Sequence, residues 1–166
     1  MNGDDSFRIR FISEAGFVSA AIRDVTDSQW SHVDIILPDG FYLGARSNGG
    51  VQVRPPNYCK PIRERRYAIP TTPDQLDAML TFARAQIGKP YDFLDIAGLL
   101  AHRDWRRPNA WMCSELAAAT AEAGNMPMLN AEAQFVNHIT PEMLHLSPLL
   151  IGHCYMETAT AASDGN

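Results

Sequence analysis

From Phe7 to Ile12 apolar residues alternate with arginines, the period-two pattern of a strand with one buried face. A short helical or irregular segment is expected over 17–23. Two β-prone runs follow, Ser31 to Leu37 and Phe41 to Ala45, joined by Pro38, Asp39 and Gly40. Asp-Gly between such runs is a strong hairpin signal. Gly49 and Gly50 predict another turn before Val51 to Val53. Pro55 and Pro56 then break regularity, and Pro61 to Ile69 returns as a further strand.

The period then changes. Leu76, Met79, Leu80, Ala83 and Ile87 share one face at helical spacing. Thr72 can cap that helix, Pro73 suits its first turn, and Gly88 stops it. A second short helix is expected over 93–100. A third, rich in alanine, runs from Cys113 to Ala123 and ends at Gly124 and Asn125. Thr140, Pro141 and Glu142 open a last one through Leu146, and Leu149 to Ile151 with Cys154 and Tyr155 are expected to form a closing strand. Strands first and helices second predict an α+β fold with an antiparallel sheet.

The length of 166 residues fits a single domain, 1–166, with residues 1–6 and 157–166 expected to fray. Composition is ordinary for a globular chain, 46% apolar and 20% charged. The net charge of −5 argues against a nucleic-acid partner, which needs a clustered basic footprint. The two basic runs, Arg63 to Arg66 and Arg103 to Arg107, are each interrupted by an acid and read as solvated loop or edge-strand charge. No basic segment leads into an apolar stretch at the start, and no apolar run approaches the ~20 residues of a membrane span. The expected location is cytoplasmic. Three cysteines, Cys59, Cys113 and Cys154, are an odd number, so a disulfide framework is not expected. Two of them read as small buried hydrophobes. Their spacing lacks the pairs of a zinc site and there is no His-Glu-x-x-His, so neither metal nor other cofactor is expected.

Cys113 opens its helix, where unpaired N–H groups and the positive end of the dipole favour a thiolate. A buried structural cysteine is the alternative. His32 lies on a strand running into a tight hairpin, rigid enough for a base. Alternation puts His32, Asp34 and Ile36 on one face and Val33, Ile35 and Leu37 on the other, the second set being core. A hydrogen-bonded, half-buried histidine is the plain alternative. His102, His138, His145 and His153 have no accompanying strand pattern and rank lower.

Three stretches, taken together, resemble a known family. They are Ser31-His32-Val33-x-Ile35 with Asp39 and Gly40 beyond it, Gly88 to Asp92, and Trp111 to Leu116. Their order is similar to that of the circularly permuted NlpC-like papain-fold cysteine hydrolases. The YiiX-like branch fits best, and lecithin:retinol acyltransferase-like proteins are more distant. In that family the histidine strand precedes the cysteine helix, as here, and the likeness covers about residues 16–150.

The resemblance implies a papain-like domain with its antiparallel sheet packed on helices and Cys113 as nucleophile at a helix N-terminus. His32 would be the base, and the Cys113 backbone N–H part of an oxyanion hole. Tyr91 and Trp111 would line a substrate cleft or pack in the core, and Asp92 and Glu115 would hold loops and helix ends. The family places a third polar residue, Glu or His, on the strand after the hairpin to orient the histidine. That position here is Gly44. Asp34 is the favoured substitute; Ser47, a backbone carbonyl or a water are others. The expected activity is hydrolysis or acyl transfer at an amide, ester or thioester. Peptide, peptidoglycan-derived or acyl substrates would be its partners. The competing expectation, motivated by Gly44, is a catalytically impaired binding module that takes a peptide or acyl ligand; a structural component of a larger assembly is a third.

Overall fold

The computed structural model describes residues 5–15, 28–92, 109–130 and 139–155. The segments expected to be helical at 17–23 and 93–100, the basic run at 103–107, His102, His138 and the tail from 157 lie outside these residues.

Six strands form one sheet: β1 (Ser6–Ser13), β2 (His32–Ile36), β3 (Tyr42–Arg46), β4 (Gly50–Arg54), β5 (Arg63–Pro70) and β6 (Cys154–Tyr155). Their order is β4-β3-β2-β1-β5-β6, and every neighbouring pair is antiparallel. Among the described residues three α-helices lie between β5 and β6, α1 (Pro73–Ala85), α2 (Cys113–Ala123) and α3 (Pro141–His145). The architecture is α+β.

Local chemistry explains the boundaries. In the β2–β3 turn the Phe41 N–H donates to Asp39 Oδ1 at 3.1 Å, and Gly40 takes φ 82°, a region that favours glycine. Thr72 and Gln75 form a reciprocal capping box at the start of α1, and the Thr140 hydroxyl caps α3.

Strand alternation separates two faces of the sheet. One carries Phe7, Ile9, Phe11, Val33, Ile35, Leu43, Ala45, Tyr67 and Ile69, all buried in the core against Met79 and Ala83 of α1 and Leu116, Ala117 and Ala121 of α2. Each fully buried aliphatic or aromatic side chain there contributes about 1.5–3 kcal/mol. The other face carries Arg8, Arg10, His32, Asp34, Tyr42, Gly44, Glu64 and Arg66.

Several expectations are corrected. β1 is not a half-buried strand: Arg10 is 1% exposed, because a carboxylate awaits it across the sheet. Ser6 belongs to β1 instead of a frayed end, and Asp5 accepts the Thr71 N–H at 2.9 Å. Ile87 lies beyond α1 and is exposed. Pro148–Leu150 is a 3-10 turn, leaving only Cys154 and Tyr155 as the closing strand. Cys154 is exposed and Cys59 half-buried, so neither is a small core hydrophobe. Among the described residues no helix is long and apolar enough to cross a membrane.

Candidate active site

Antiparallel pairing of β1 with β2 sets Arg10 directly opposite Asp34. Opposite charges in that register attract, and burial sharpens the attraction. Arg10 donates to Asp34 Oδ2 from Nε at 3.1 Å and from Nη2 at 3.0 Å. The Tyr58 hydroxyl, from the β4–β5 connection, donates to the same oxygen at 2.6 Å. The other oxygen, Oδ1, meets His32 Nε2 at 2.8 Å. His32 and Asp34 are two residues apart on one strand, so the pleat puts both side chains on the same face.

Gly44 is part of this geometry. A Cβ built there would sit 2.5 Å from Asp34 Oδ1 and 3.4 Å from the Val33 carbonyl oxygen. The Asp34 carboxylate therefore occupies the space that a side chain at position 44 would need.

The His32 ring also interacts with the Cys113 thiol, each changing the other's proton affinity. Cys113 is the first residue of α2, which packs on β2 and β3. Ser114 ties the start of α2 to the Ile139 carbonyl, and the Glu115 carboxylate accepts the Met112 N–H at 3.4 Å. The first-turn N–H of Cys113 has no acceptor within the helix.

The Gly88-to-Asp92 stretch straps this helix start to the sheet. Val51 donates to the Lys89 carbonyl and Gly88 to that of Val51, both at 2.9 Å. Trp111 then donates to Pro90 at 3.1 Å, and Asp92 to Trp111 at 3.2 Å. Gly50 allows the approach, since a Cβ there would run into the Lys89 carbonyl oxygen.

The electrostatics follow from the contacts. Burial opposes a charged imidazole, but Asp34 and Cys113 more than reverse this and push the His32 pKa up to about 9. Burial likewise raises the Cys113 thiol, yet the His32 charge, its hydrogen bond and the Val33 backbone bring it below its ordinary value. Burial works against an ionised Asp34 too; His32, Arg10 and Tyr58 nonetheless hold it well below the usual carboxylate range. The charges thus alternate from Arg10 through Asp34 to His32, and the His32 charge favours ionisation of the Cys113 thiol.

Cys113, His32 and Asp34 are therefore brought together. Tyr91 and Trp111 are placed as packing residues: Tyr91 is buried in the core, and Trp111 packs against it and donates its indole N–H to Gln86 at 3.2 Å. Ser47 is exposed in the β3–β4 turn. Arg10 and Tyr58 were not singled out from the sequence. The clue to Arg10 was an arginine on the same strand parity as Asp34, which becomes legible only once β1 and β2 are paired.

No known family profile matches the chain, and no curated protein matches it. Among solved structures, the metalloprotein yiiX from Escherichia coli O157:H7 is similar, with a TM-score of 0.71 over 93% of this chain and 97% of that one. The chain has a YiiX-like fold. Sequence identity across the match is 16%, so the likeness is one of fold alone.

That structure is described as a metalloprotein, which raises the question whether the residues here could hold a metal. Asp34 Oδ2 is already held by Arg10 and Tyr58, and Oδ1 by His32. A guanidinium bonded to a would-be ligand opposes a second cation. Among the described residues no group of three or more His, Cys, Asp or Glu is arranged to hold a metal ion. These donors do not fit a metal centre, and no chemical step is routed through one.

Proposed function

We propose that the protein is a cysteine hydrolase or acyltransferase of the papain-like, NlpC-related type, acting on an amide, ester or thioester. The observation that carries this reading is the buried group of Cys113, His32 and Asp34, in which His32 bonds Asp34 and interacts with a thiol at a helix N-terminus. Such a group is the arrangement that activates a thiol nucleophile.

The Cys113 thiolate attacks the substrate carbonyl carbon, and the carbonyl electron pair moves onto oxygen, where the Cys113 N–H donates to it. As the tetrahedral centre collapses, the bond to the leaving group breaks and the His32 imidazolium gives that group its proton. A thioester on Cys113 remains. Neutral His32 then takes a proton from water, or from another acceptor, which attacks the thioester and releases the thiolate. Asp34 holds the ring in place and stabilises its charge throughout.

The alternative of a non-catalytic binding module rests on Gly44. With the Asp34 carboxylate beside that glycine, Gly44 is no reason to expect a disabled site.

The test uses p-nitrophenyl acetate as probe. Peptide mass spectrometry is expected to find a transient acetyl group on Cys113, absent in His32→Ala. Labelling of the exposed Cys154 with Cys113 untouched would overturn the reading.

A further inference from the structure

We propose that Arg10 and Tyr58 are positioning residues, which together hold Oδ2 of Asp34 and so reserve Oδ1 for His32. Their importance for turnover rests on the hydrolase reading; the positioning itself does not.

The three donor contacts to Oδ2, at 2.6, 3.0 and 3.1 Å, come from two different directions in the chain, β1 and the β4–β5 connection. A carboxylate bonded through one oxygen alone can rotate. One clamped by a guanidinium fork and a hydroxyl cannot turn without breaking several charge-assisted bonds. The clamp is itself supported. The Arg10 guanidinium lies 3.6 Å from the centroid of the Tyr42 ring and 5.1 Å from that of Tyr58. Tyr42 and Tyr58 meet edge to face at 6.0 Å. Both donors also hold their protons more firmly than usual: burial and then the Asp34 charge push the Tyr58 pKa up, and the Asp34 charge outweighs burial to raise that of Arg10. The clamp therefore does not loosen where His32 titrates.

Other charged groups face this cluster. Arg46 and Arg54, from β3 and β4, feel the Asp34 charge. Glu14 pairs with Arg46, and Glu64 of β5 stands 3.5 Å from Arg10. Cys59 lies 3.5 Å from Arg10 Nη2, and Cys113 reaches the cluster through His32. Only Arg10, Tyr58 and His32 bond directly to the carboxylate among the contacts described.

The experiment is an NMR titration of His32 in protein labelled with 15N-histidine, alongside thermal unfolding. Tyr58→Phe keeps the ring and its packing and removes one donor. The His32 midpoint should fall from about 9 by about one unit, since part of the population loses its aligned partner while burial remains. In Asp34→Asn protein, adding Tyr58→Phe should shift the midpoint no further, because the tyrosine acts through that carboxylate. Arg10→Lys, which keeps the charge without the fork, should fall between wild type and Arg10→Met. If Arg10→Met does not fold, Tyr58→Phe and the double variant still decide.

A Tyr58→Phe protein that melts earlier while His32 titrates at the wild-type midpoint would overturn the proposal. So would an equal shift in the Asp34→Asn background. An Asp34-dependent shift in a protein that never forms an acyl-enzyme would support the positioning role and refute only the hydrolase reading.

Discussion

Replacing Gly44 with alanine adds one methyl group at the most crowded point of the site. The new Cβ would lie 2.5 Å from Asp34 Oδ1, well inside contact distance, while the Val33 carbonyl at 3.4 Å is tolerable. The backbone of Gly44 is not in the left-handed region, so the penalty is steric and not conformational. Relief requires movement of Asp34, which is bonded to His32, Arg10 and Tyr58. Overpacking of this kind costs about 1–3 kcal/mol. If the carboxylate swings away to escape, the bond to His32 is lost as well, at about 1.5–3 kcal/mol for a charged pair. In a domain of this size each kcal/mol lowers Tm by roughly 2–4 °C. Gly44→Ala should therefore melt roughly 2–12 °C below wild type. It should also lose much of the iodoacetamide reactivity of Cys113 near pH 7, read by peptide mass spectrometry. Unchanged melting together with unchanged alkylation would refute the account of Gly44 as room for Asp34. A sharper version moves the acid: Asp34→Gly with Gly44→Glu should recover reactivity that Asp34→Gly alone has lost.

Cys113→Ser should abolish acyl-enzyme formation with folding retained, whereas Cys59→Ser and Cys154→Ser should keep it, judged by mass spectrometry and circular dichroism. Asp34→Asn should slow acylation by about 10- to 100-fold, the scale of one lost charge-assisted hydrogen bond, in stopped-flow measurements. Turnover should decline as pH rises through about 9, where His32 gives up the proton needed by the leaving group; its lower limb should begin below the ordinary thiol range. Because the folded-state pKa of Asp34 is depressed, its contribution to stability is complete above the unfolded value of 3.8 and is lost as pH falls below it. Denaturant titrations across that acid window should show a shallower loss in Asp34→Asn.

Much of this was legible where a short-range rule decides. Asp39 and Gly40 fix the hairpin, Thr72 and Thr140 fix helix starts, and the alternation of His32 and Asp34 fixes a shared face. Cys113 opens its helix as expected because the chain turns helical at that residue. Asp34, one of several substitutes open at the level of sequence, lies within 2.8 Å of His32. Arg10 was not legible, because alternation assigns a residue to a face and says nothing of what lies opposite. Its role depends on β1 lying beside β2, a contact between residues far apart in the chain. Tyr58 was hidden for the same reason, sitting in an irregular connection with no period to read. Tyr91 and Trp111 were open between cleft and core. Their bridge through Pro90 and Asp92 is a tertiary contact that no local pattern encodes.

The strap from Gly88 to Asp92 has a consequence for how the molecule opens. Its backbone bonds run from Val51, on the outermost strand, to Trp111, two residues before Cys113. The sheet margin and the start of α2 are thereby one continuous backbone lattice. Amide protons of Val51, Gly88, Asp92 and Trp111 should exchange with solvent as a single group, released by one shared opening event. Peeling β4 from that end would carry the thiol away from the imidazole, whereas loosening of the sheet at β6 would leave the two in register.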